Sequence, residues 1–327
     1  MKVAVFSSKP YDREFLDAAN EGRHELRYIA CPLTAATAVE AKGCWAACLF
    51  ANDQADQAAL QGLAEAGVRL IALRAAGFDN VDLGAARAHG LTVARVPSYS
   101  PQAVAEHAFA LLLSLNRKIH LAYQRVRTGD FSLDGLIGFD LAGKTFGIVG
   151  VGNIGSAAAR IAKGFGCRVL AADPVRREGC RDLVEYVSLS ELLQQSDVVT
   201  LHCPLTEDTR HLIGQPELAR MKPHAVLINT SRGACIDTTA LLQHLKAGGL
   251  GGVALDVYEH ERGLFFEDRR GEAIVDAQFA ELLACPRALV TGHMGFLTAE
   301  ALTNIARTTI ANIDTFERSG TALFEVG

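Results

Sequence analysis

The sequence predicts an α/β protein built from two doubly wound parallel-sheet domains, and three observations predict it. Short apolar runs alternate with helix-like stretches over the first hundred residues, and the same alternation restarts at Lys144. A glycine-rich turn, Gly150-Val151-Gly152-Asn153-Ile154-Gly155, joins a strand to a helix at the head of the second set. At 327 residues the chain is long enough for two cores, since single cores seldom grow past about 250 residues.

In the first set, VAVFSS, LRYIA, WAACLF, LIAL and LTVARV read as strands bounded by polar or glycine-bearing segments. Residues 53–67 and 80–90 read as helices between them. Pro97 and Pro101 bracket a segment that continues neither strand nor helix, and it reads as a hinge. A long apolar helix follows, with Val104, Ala108, Leu111, Leu115 and Ile119 on one stripe and Leu112 and Leu113 widening it. A helix apolar on more than one side is expected between domains or between subunits. It motivates a homodimer or a dimer of dimers that buries residues 103–115. In the second set, TFGIVG, CRVLAAD, VVTLH, AVLINT, GVALDV and RALVTGH read as strands, and TAEALTNIARTTIANIDTFERSG reads as a final helix that returns to the first domain.

Composition narrows the function classes. The net charge of −5 argues against nucleic acid and membrane surfaces as partners, because both favour basic patches. The N-terminal apolar stretch is cut short by Lys9 and Pro10, too soon for a signal peptide, and no run approaches the ~20 apolar residues of a membrane span. The eight cysteines include no CxxC pair, so buried free thiols in a reducing cytoplasm are expected, with no metal and no disulfide.

The glycine turn carries dinucleotide chemistry. Gly150 permits the tight turn, Gly152 lets backbone approach a pyrophosphate, and Gly155 permits close helix–strand packing, with the pyrophosphate at the positive helix N-terminus. Asp173 ends the next strand, where an acid accepts hydrogen bonds from the adenosine ribose and repels a 2′-phosphate. That favours NAD over NADP, although Arg176 and Arg177 stand nearby.

Candidate acid–base residues lie at the ends of three successive strands: Arg232 after AVLINT, Asp256 and Glu261 after GVALDV, and His293 after ALVTG. A 2-oxo acid needs a guanidinium for its carboxylate and a proton donor at its keto oxygen, with a carboxylate to favour the imidazolium and orient the ring. Arg232, His293 and Glu261 supply one of each. Taken singly, each also reads as a surface cation, a solvated acid or a structural histidine, and position alone leaves both readings open. Of the other histidines, His24, His89, His107, His120, His211, His224, His244 and His260 show no comparable setting, and His202 reads as part of a cofactor loop.

Four segments, VGVGNIGSAAARIAKGFG with Asp173, NTSRGACIDTTALLQHLKAG, LDVYEHE and LVTGHMGFLTAEALTNIARTTIANI, resemble the D-isomer-specific 2-hydroxyacid dehydrogenase family over essentially the whole chain. The last of these, with GLFFEDRRGEAIVDAQFAELLACPRA, is similar to its D-lactate dehydrogenase branch. The resemblance implies a flavodoxin-like substrate domain of residues 1–98 plus 299–327, a Rossmann NAD-binding domain of residues 99–298, and an active-site cleft between them. It implies that Arg232 binds and polarises a small 2-oxo or 2-hydroxy acid, that His293 is the acid–base group, and that Glu261 tunes it. Ala76 and Gly77, through backbone amides, and Tyr99 would contact substrate. Asn153, Ile154, Asp173, Cys203, Pro204, Thr230, Ser231, Arg232 and Asp256 would line NAD, with Asp256 facing the nicotinamide amide. The helix beginning at Pro101 resembles the family's dimerisation helix. Glu261 stands where formate dehydrogenases carry glutamine, and the end at Gly327 disfavours the longer phosphoglycerate dehydrogenases. The implied reaction is reversible reduction of pyruvate by NADH to D-lactate. Bulkier 2-oxo acids as substrates, and an NADH-sensing corepressor of similar fold, are the alternatives.

Overall fold

The N-terminal apolar runs become five short strands: β1 (Lys2–Val5), β2 (Glu25–Tyr28), β3 (Ala46–Leu49), β4 (Leu70–Leu73) and β5 (Thr92–Ala94). All pair in parallel, in the order β2-β1-β3-β4-β5, a flavodoxin-like arrangement. Every residue of β3 and β4 is buried, as expected of strands covered on both faces. The computed structural model describes residues 1–327, and the chain falls into two units, Met1–Ser100 with Phe296–Gly327, and Pro101–Gly295.

In the first unit, α1 (Pro10–Asn20) and the C-terminal helix (Ala299–Ser319) cover one face of the sheet, where Leu16, Ile310 and Ile313 pack on Val3, Val5 and Leu70. On the other face, α2 (Gln57–Glu65) and α3 (Leu83–Ala88) bring Leu60, Leu63 and Ala86 against Phe6, Leu49 and Ile71. The helix expected over 53–67 starts only at Gln57. Asp53 is drawn into the core instead, where its carboxylate accepts hydrogen bonds from Ser7 Oγ (2.7 Å) and from the amides of Leu33 (2.7 Å) and Phe50 (2.6 Å). Asp56 then caps the helix by accepting the Ala59 amide at 2.9 Å. The helix expected over 80–90 shortens likewise, with Asp82 as its cap.

The second unit holds β6 (Thr145–Val149), β7 (Arg168–Ala172), β8 (Glu185–Tyr186), β9 (Val198–Leu201), β10 (Val226–Asn229), β11 (Gly252–Leu255) and β12 (Ala288–Val290). They form one parallel sheet in the order β12-β11-β10-β9-β6-β7-β8, the doubly wound Rossmann order, and the order reverses between β6 and β9. Strand β8 was not expected; its two residues are too few to show a period. The helices are α4 (Pro101–Asn116), α5 (Ile119–Arg127), α6 (Asn153–Gly164), α7 (Leu189–Gln195), α8 (Gln215–Leu218), α9 (Thr238–Lys246) and α10 (Ala277–Ala284).

One expectation about the long apolar helix is corrected. Its stripe does not reach Ile119: α4 ends at Asn116, Lys118 turns left-handed at φ 54°, and Ile119 is exposed. The Asn116 side chain bridges to Phe139, donating to its carbonyl at 2.7 Å and accepting its amide at 2.8 Å, which redirects the chain. The wide apolar surface of α4 is also consumed within its own unit. Phe109 stacks on Phe146 with centroids 5.1 Å apart, while Ala105, Ala108, Leu112 and Leu115 join Ile148, Val226 and Ala254 in one cluster. Truncating a residue as buried as Leu112 to alanine costs about 2–5 kcal/mol.

Candidate active site

The functional loops of the second unit leave the C-terminal ends of its strands. Gly150 follows β6 with φ 91°, and a Cβ there would lie 2.8 Å from the amide nitrogen of Cys203, so the loop after β9 packs directly on the glycine turn. A Cβ on Gly155 would fall 2.0 Å from the Gly150 carbonyl oxygen, which makes glycine obligatory at this crossing. Gly152, by contrast, faces open space, and α6 starts beside it with no side-chain cap on its first amides. Asp173, after β7, accepts the Val151 amide at 2.6 Å and the Val175 amide at 2.7 Å, so the carboxylate is fixed against the glycine turn. The Thr230 hydroxyl is buried with no hydrogen-bond partner in the protein. Free helix amides, an open glycine face, a pinned acid and an orphaned buried hydroxyl together fit a dinucleotide.

The loop after β10 is braced by Asn229, a residue the sequence did not mark. Its buried side chain accepts the Ser231 amide (2.9 Å) and hydroxyl (2.8 Å) and donates to the Arg232 carbonyl (2.8 Å). Gly233 then lets this loop lie on the next one, because a Cβ would meet the Tyr258 carbonyl carbon at 2.1 Å. The Arg232 loop and the turn carrying Glu261 are thereby held together. That turn is anchored by Tyr258, whose hydroxyl donates to Asp276 at 2.8 Å and whose amide donates to Glu261 Oε2 at 3.0 Å.

His293 and Glu261 meet as expected: Nδ1 lies 2.7 Å from Glu261 Oε1, which leaves Nε2 free of this pairing. The Phe266 ring lies 5.5 Å from the imidazole, centroid to centroid. Both residues adopt a left-handed backbone, Phe266 at φ 68° and His293 at φ 55°. Non-glycine residues persist there only when their surroundings hold them. For His293 the holder is Asp256. Its carbonyl accepts the His293 amide at 2.7 Å. Its carboxylate accepts the amides of Met294 (2.9 Å) and Gly295 (2.8 Å) and the Thr291 hydroxyl (2.6 Å). Burial pushes the Asp256 carboxyl up, but the His107 imidazole and these other donors outweigh it and hold it below the usual carboxylate range.

His107 corrects the sequence reading, which saw no comparable setting for it. From α4 its Nε2 lies 3.1 Å from Asp256 Oδ1 and 3.3 Å from Thr291 Oγ1. His24, His211 and His224 also meet carboxylates, those of Asp314 (2.8 Å), Glu259 (2.5 Å) and Asp197 (3.2 Å). A histidine among the mainly apolar residues of α4 was the available signal. His202 is half-buried; burial lowers its pKa to about 4, and its Nε2 pairs with Thr200 Oγ1 at 3.1 Å. Asn153 and Ile154 open α6, while Cys203 and Pro204 follow β9. Ala76, Gly77 and Tyr99 belong to the first unit. Arg95 Nη1 donates to the Ala76 carbonyl at 2.9 Å, and Asn304 donates to the Tyr99 carbonyl at 2.7 Å. All eight cysteines are free; six are buried, Cys285 is half-buried and Cys31 is exposed rather than buried. No cluster of ligating side chains fits a metal ion, and no helix is long and apolar enough to cross a membrane.

Known proteins share this arrangement. Residues 109–295 match the family model of the D-isomer specific 2-hydroxyacid dehydrogenase NAD binding domain. The D-lactate dehydrogenase of Escherichia coli is 50% identical over 323 residues, covering 98% of either chain. The apo structure of D-lactate dehydrogenase from the same organism superposes with a TM-score of 0.91 at 47% identity and full coverage of both chains. D-lactate dehydrogenase with NAD+ from Lactobacillus jensenii gives a TM-score of 0.82 at 33% identity, again over both whole chains.

Proposed function

Because the chain belongs to the D-isomer-specific 2-hydroxyacid dehydrogenase family, we propose that it interconverts pyruvate and D-lactate with NADH and NAD. The observation that carries this reading is the His293–Glu261 pair, with Nδ1 engaged at 2.7 Å and Nε2 left for substrate. When bound, the nicotinamide supplies or accepts the hydride. In reduction, the protonated His293 gives the Nε2 proton to the keto oxygen, and the Glu261 carboxylate holds the ring and favours its cationic form. In oxidation the neutral ring takes that proton back. Arg232 grips the substrate carboxylate through its planar fork. Asp256 works from behind by fixing the 293–295 turn. Ala76, Gly77 and Tyr99 keep the substrate-contact roles that the resemblance gives them. Gly150, Gly152 and Gly155, the start of α6, Cys203, Pro204, Thr230 and Ser231 hold the dinucleotide, and Asp173 takes its ribose hydroxyls.

Loss of absorbance at 340 nm on mixing the protein with NADH and pyruvate tests the reading, with chiral analysis of the product. Faster turnover of phenylpyruvate or 2-oxoisocaproate would move the substrate to bulkier acids, and no turnover of any 2-oxo acid would favour an NADH sensor. The same reading makes the protein a cytoplasmic homodimer or dimer of dimers that uses the helix of residues 103–115. Helix α5 buries none of its residues, and Ile119, Tyr123, Val126, Phe131, Leu133 and Ile137 are exposed on it and on the loop that follows. Light scattering that reports a single 34.9-kDa chain would overturn the assembly.

A further inference from the structure

Two cysteines meet beside Arg232, and the proton-transfer chemistry uses neither. Cys203 follows β9 and Cys235 closes the turn after β10, two strands paired in parallel with Leu201 opposite Asn229. Their Sγ atoms lie 4.0 Å apart. Cys235 is wholly buried, while Cys203 keeps 8% of its surface and forms the accessible edge of the pair. The Ser231 hydroxyl donates to Cys235 Sγ at 3.9 Å. The Cys203 thiol, this hydroxyl and the Arg232 guanidinium all favour the thiolate on Cys235, whereas the Cys203 thiol is pushed up. At position 235 the sulfur replaces nothing the reaction needs, yet it is aimed at the one cysteine in the loop that packs on the glycine turn.

We propose that Cys203 and Cys235 are a redox modification site: a peroxide converts them to a disulfide that locks the dinucleotide loop to the Arg232 loop and stops NADH from binding. A peroxide admitted at the Cys203 edge meets the Cys235 thiolate behind it, which attacks one peroxide oxygen; the O–O bond breaks and hydroxide leaves to be protonated to water, giving a sulfenic acid. The Cys203 thiol then attacks that sulfur, forms the S–S bond and expels the sulfenic oxygen as a second water. Both sulfurs are oxidised by one electron each and the peroxide is reduced by two. To reach bonding distance the sulfurs close by roughly 2 Å. That movement shifts Cys203, which packs on Gly150, and it draws Cys235 with the Arg232 carbonyl to which its amide is bonded at 3.1 Å. In a reducing compartment such a bond is transient and regulatory rather than structural.

The consequence for NADH rests on the proposed placement of Cys203 at the cofactor, so the test reads the bond and the binding separately. The full-length protein is treated with hydrogen peroxide, the remaining thiols are blocked, and peptides are mapped by mass spectrometry. NADH binding is followed by fluorescence before and after dithiothreitol. The expected result is a Cys203–Cys235 peptide two hydrogens lighter than its reduced parts, loss of NADH binding, recovery of both by dithiothreitol, and slower oxidation when NADH is present. Cys235→Ala is expected to resist the loss. A sulfinic or sulfonic acid without the cross-link, a different pairing, or a Cys235→Ala protein as sensitive as wild type would overturn the site. A mapped cross-link with NADH binding intact would overturn the lock. Failure to turn over pyruvate with NADH binding and cross-link as described would remove the substrate reading and leave this one standing.

Discussion

Two of the histidine–carboxylate pairs in the second unit have their carboxylates close in sequence, at Asp256 and Glu261, and they are built differently. In the His293–Glu261 pair both side chains keep access to solvent, 17% and 23% of their surfaces, and Glu261 takes only the imidazole and the Tyr258 amide. In the His107–Asp256 pair the carboxylate retains 2% of its surface and takes the imidazole, a hydroxyl and two amides. A carboxylate has about four acceptor sites, so Asp256 is nearly saturated and Glu261 is not. The first pair can change its protonation state without breaking the structure around it. The second holds a strained turn, and its charge is spent on that task. Equal chemistry at the level of residue type thus becomes, in the function we propose, a proton relay in one place and a clamp in the other, and the burial of the carboxylate makes the difference.

Breaking the exposed pair has the largest expected effect. His293→Asn removes the proton donor and should lower kcat in both directions by about 10²–10⁴-fold while NADH binding persists in a fluorescence titration. A change confined to KM would mean that the pair positions substrate and does no proton transfer.

Asp256→Asn should separate the clamp from the relay. An amide cannot accept on both atoms, so at least one of the buried donors loses its partner, at a cost of about 1–3 kcal/mol and a lower thermal midpoint. Its dependence on pH has a definite sign. The folded carboxyl lies below its ordinary value, so its contribution is present above the unfolded value of about 3.9 and is lost as pH falls through the folded one. The stability gap between wild type and Asp256→Asn should therefore be full at neutral pH and close below about pH 4. A gap that stays constant into acid would show that the charge of Asp256 is not what holds the turn.

Glu261→Gln should leave the thermal midpoint nearly untouched and change turnover instead. Without the charged acceptor the imidazole is held less firmly, so kcat should fall about ten-fold in both directions with KM little changed. Turnover equal to wild type in both directions would make Glu261 a bystander. The smallest effect is expected from His107→Gln, which retains a donor toward Asp256: a few-fold loss in kcat that exceeds any loss in KM. His107→Phe should do worse than His107→Gln, and equal behaviour of the two would remove His107 from the clamp.

The meeting of His293 with Glu261 was legible in the sequence because both follow strand ends, where any parallel sheet gathers its loops. The clamp was not. Asp256 was marked for the nicotinamide, and its partner His107 lies 149 residues away on a helix read mainly for its apolar stripe. Asn229 was passed over for a similar reason: a strand-ending asparagine looks like a turn residue until its side chain is seen bracing Ser231 and Arg232. The cysteine pair, 32 residues apart, carries no spacing that sequence could flag.

What the sequence determined by itself is whatever depends on neighbours in the chain. That covers the alternation of strand and helix, the glycine turn whose φ 91° and 2.0 Å crossing exclude side chains, and the acid at the end of the next strand. These follow from backbone sterics and hydrophobic period, which act over a few residues. Tertiary structure alone decided which carboxylate each histidine meets, that Asp53 leaves its helix for the core, and that α4 spends its apolar faces inside its own unit while α5 leaves its own exposed. Those outcomes depend on desolvation and on hydrogen bonds between residues far apart in sequence. Their strength is set by what else is buried around them, and no local pattern encodes that.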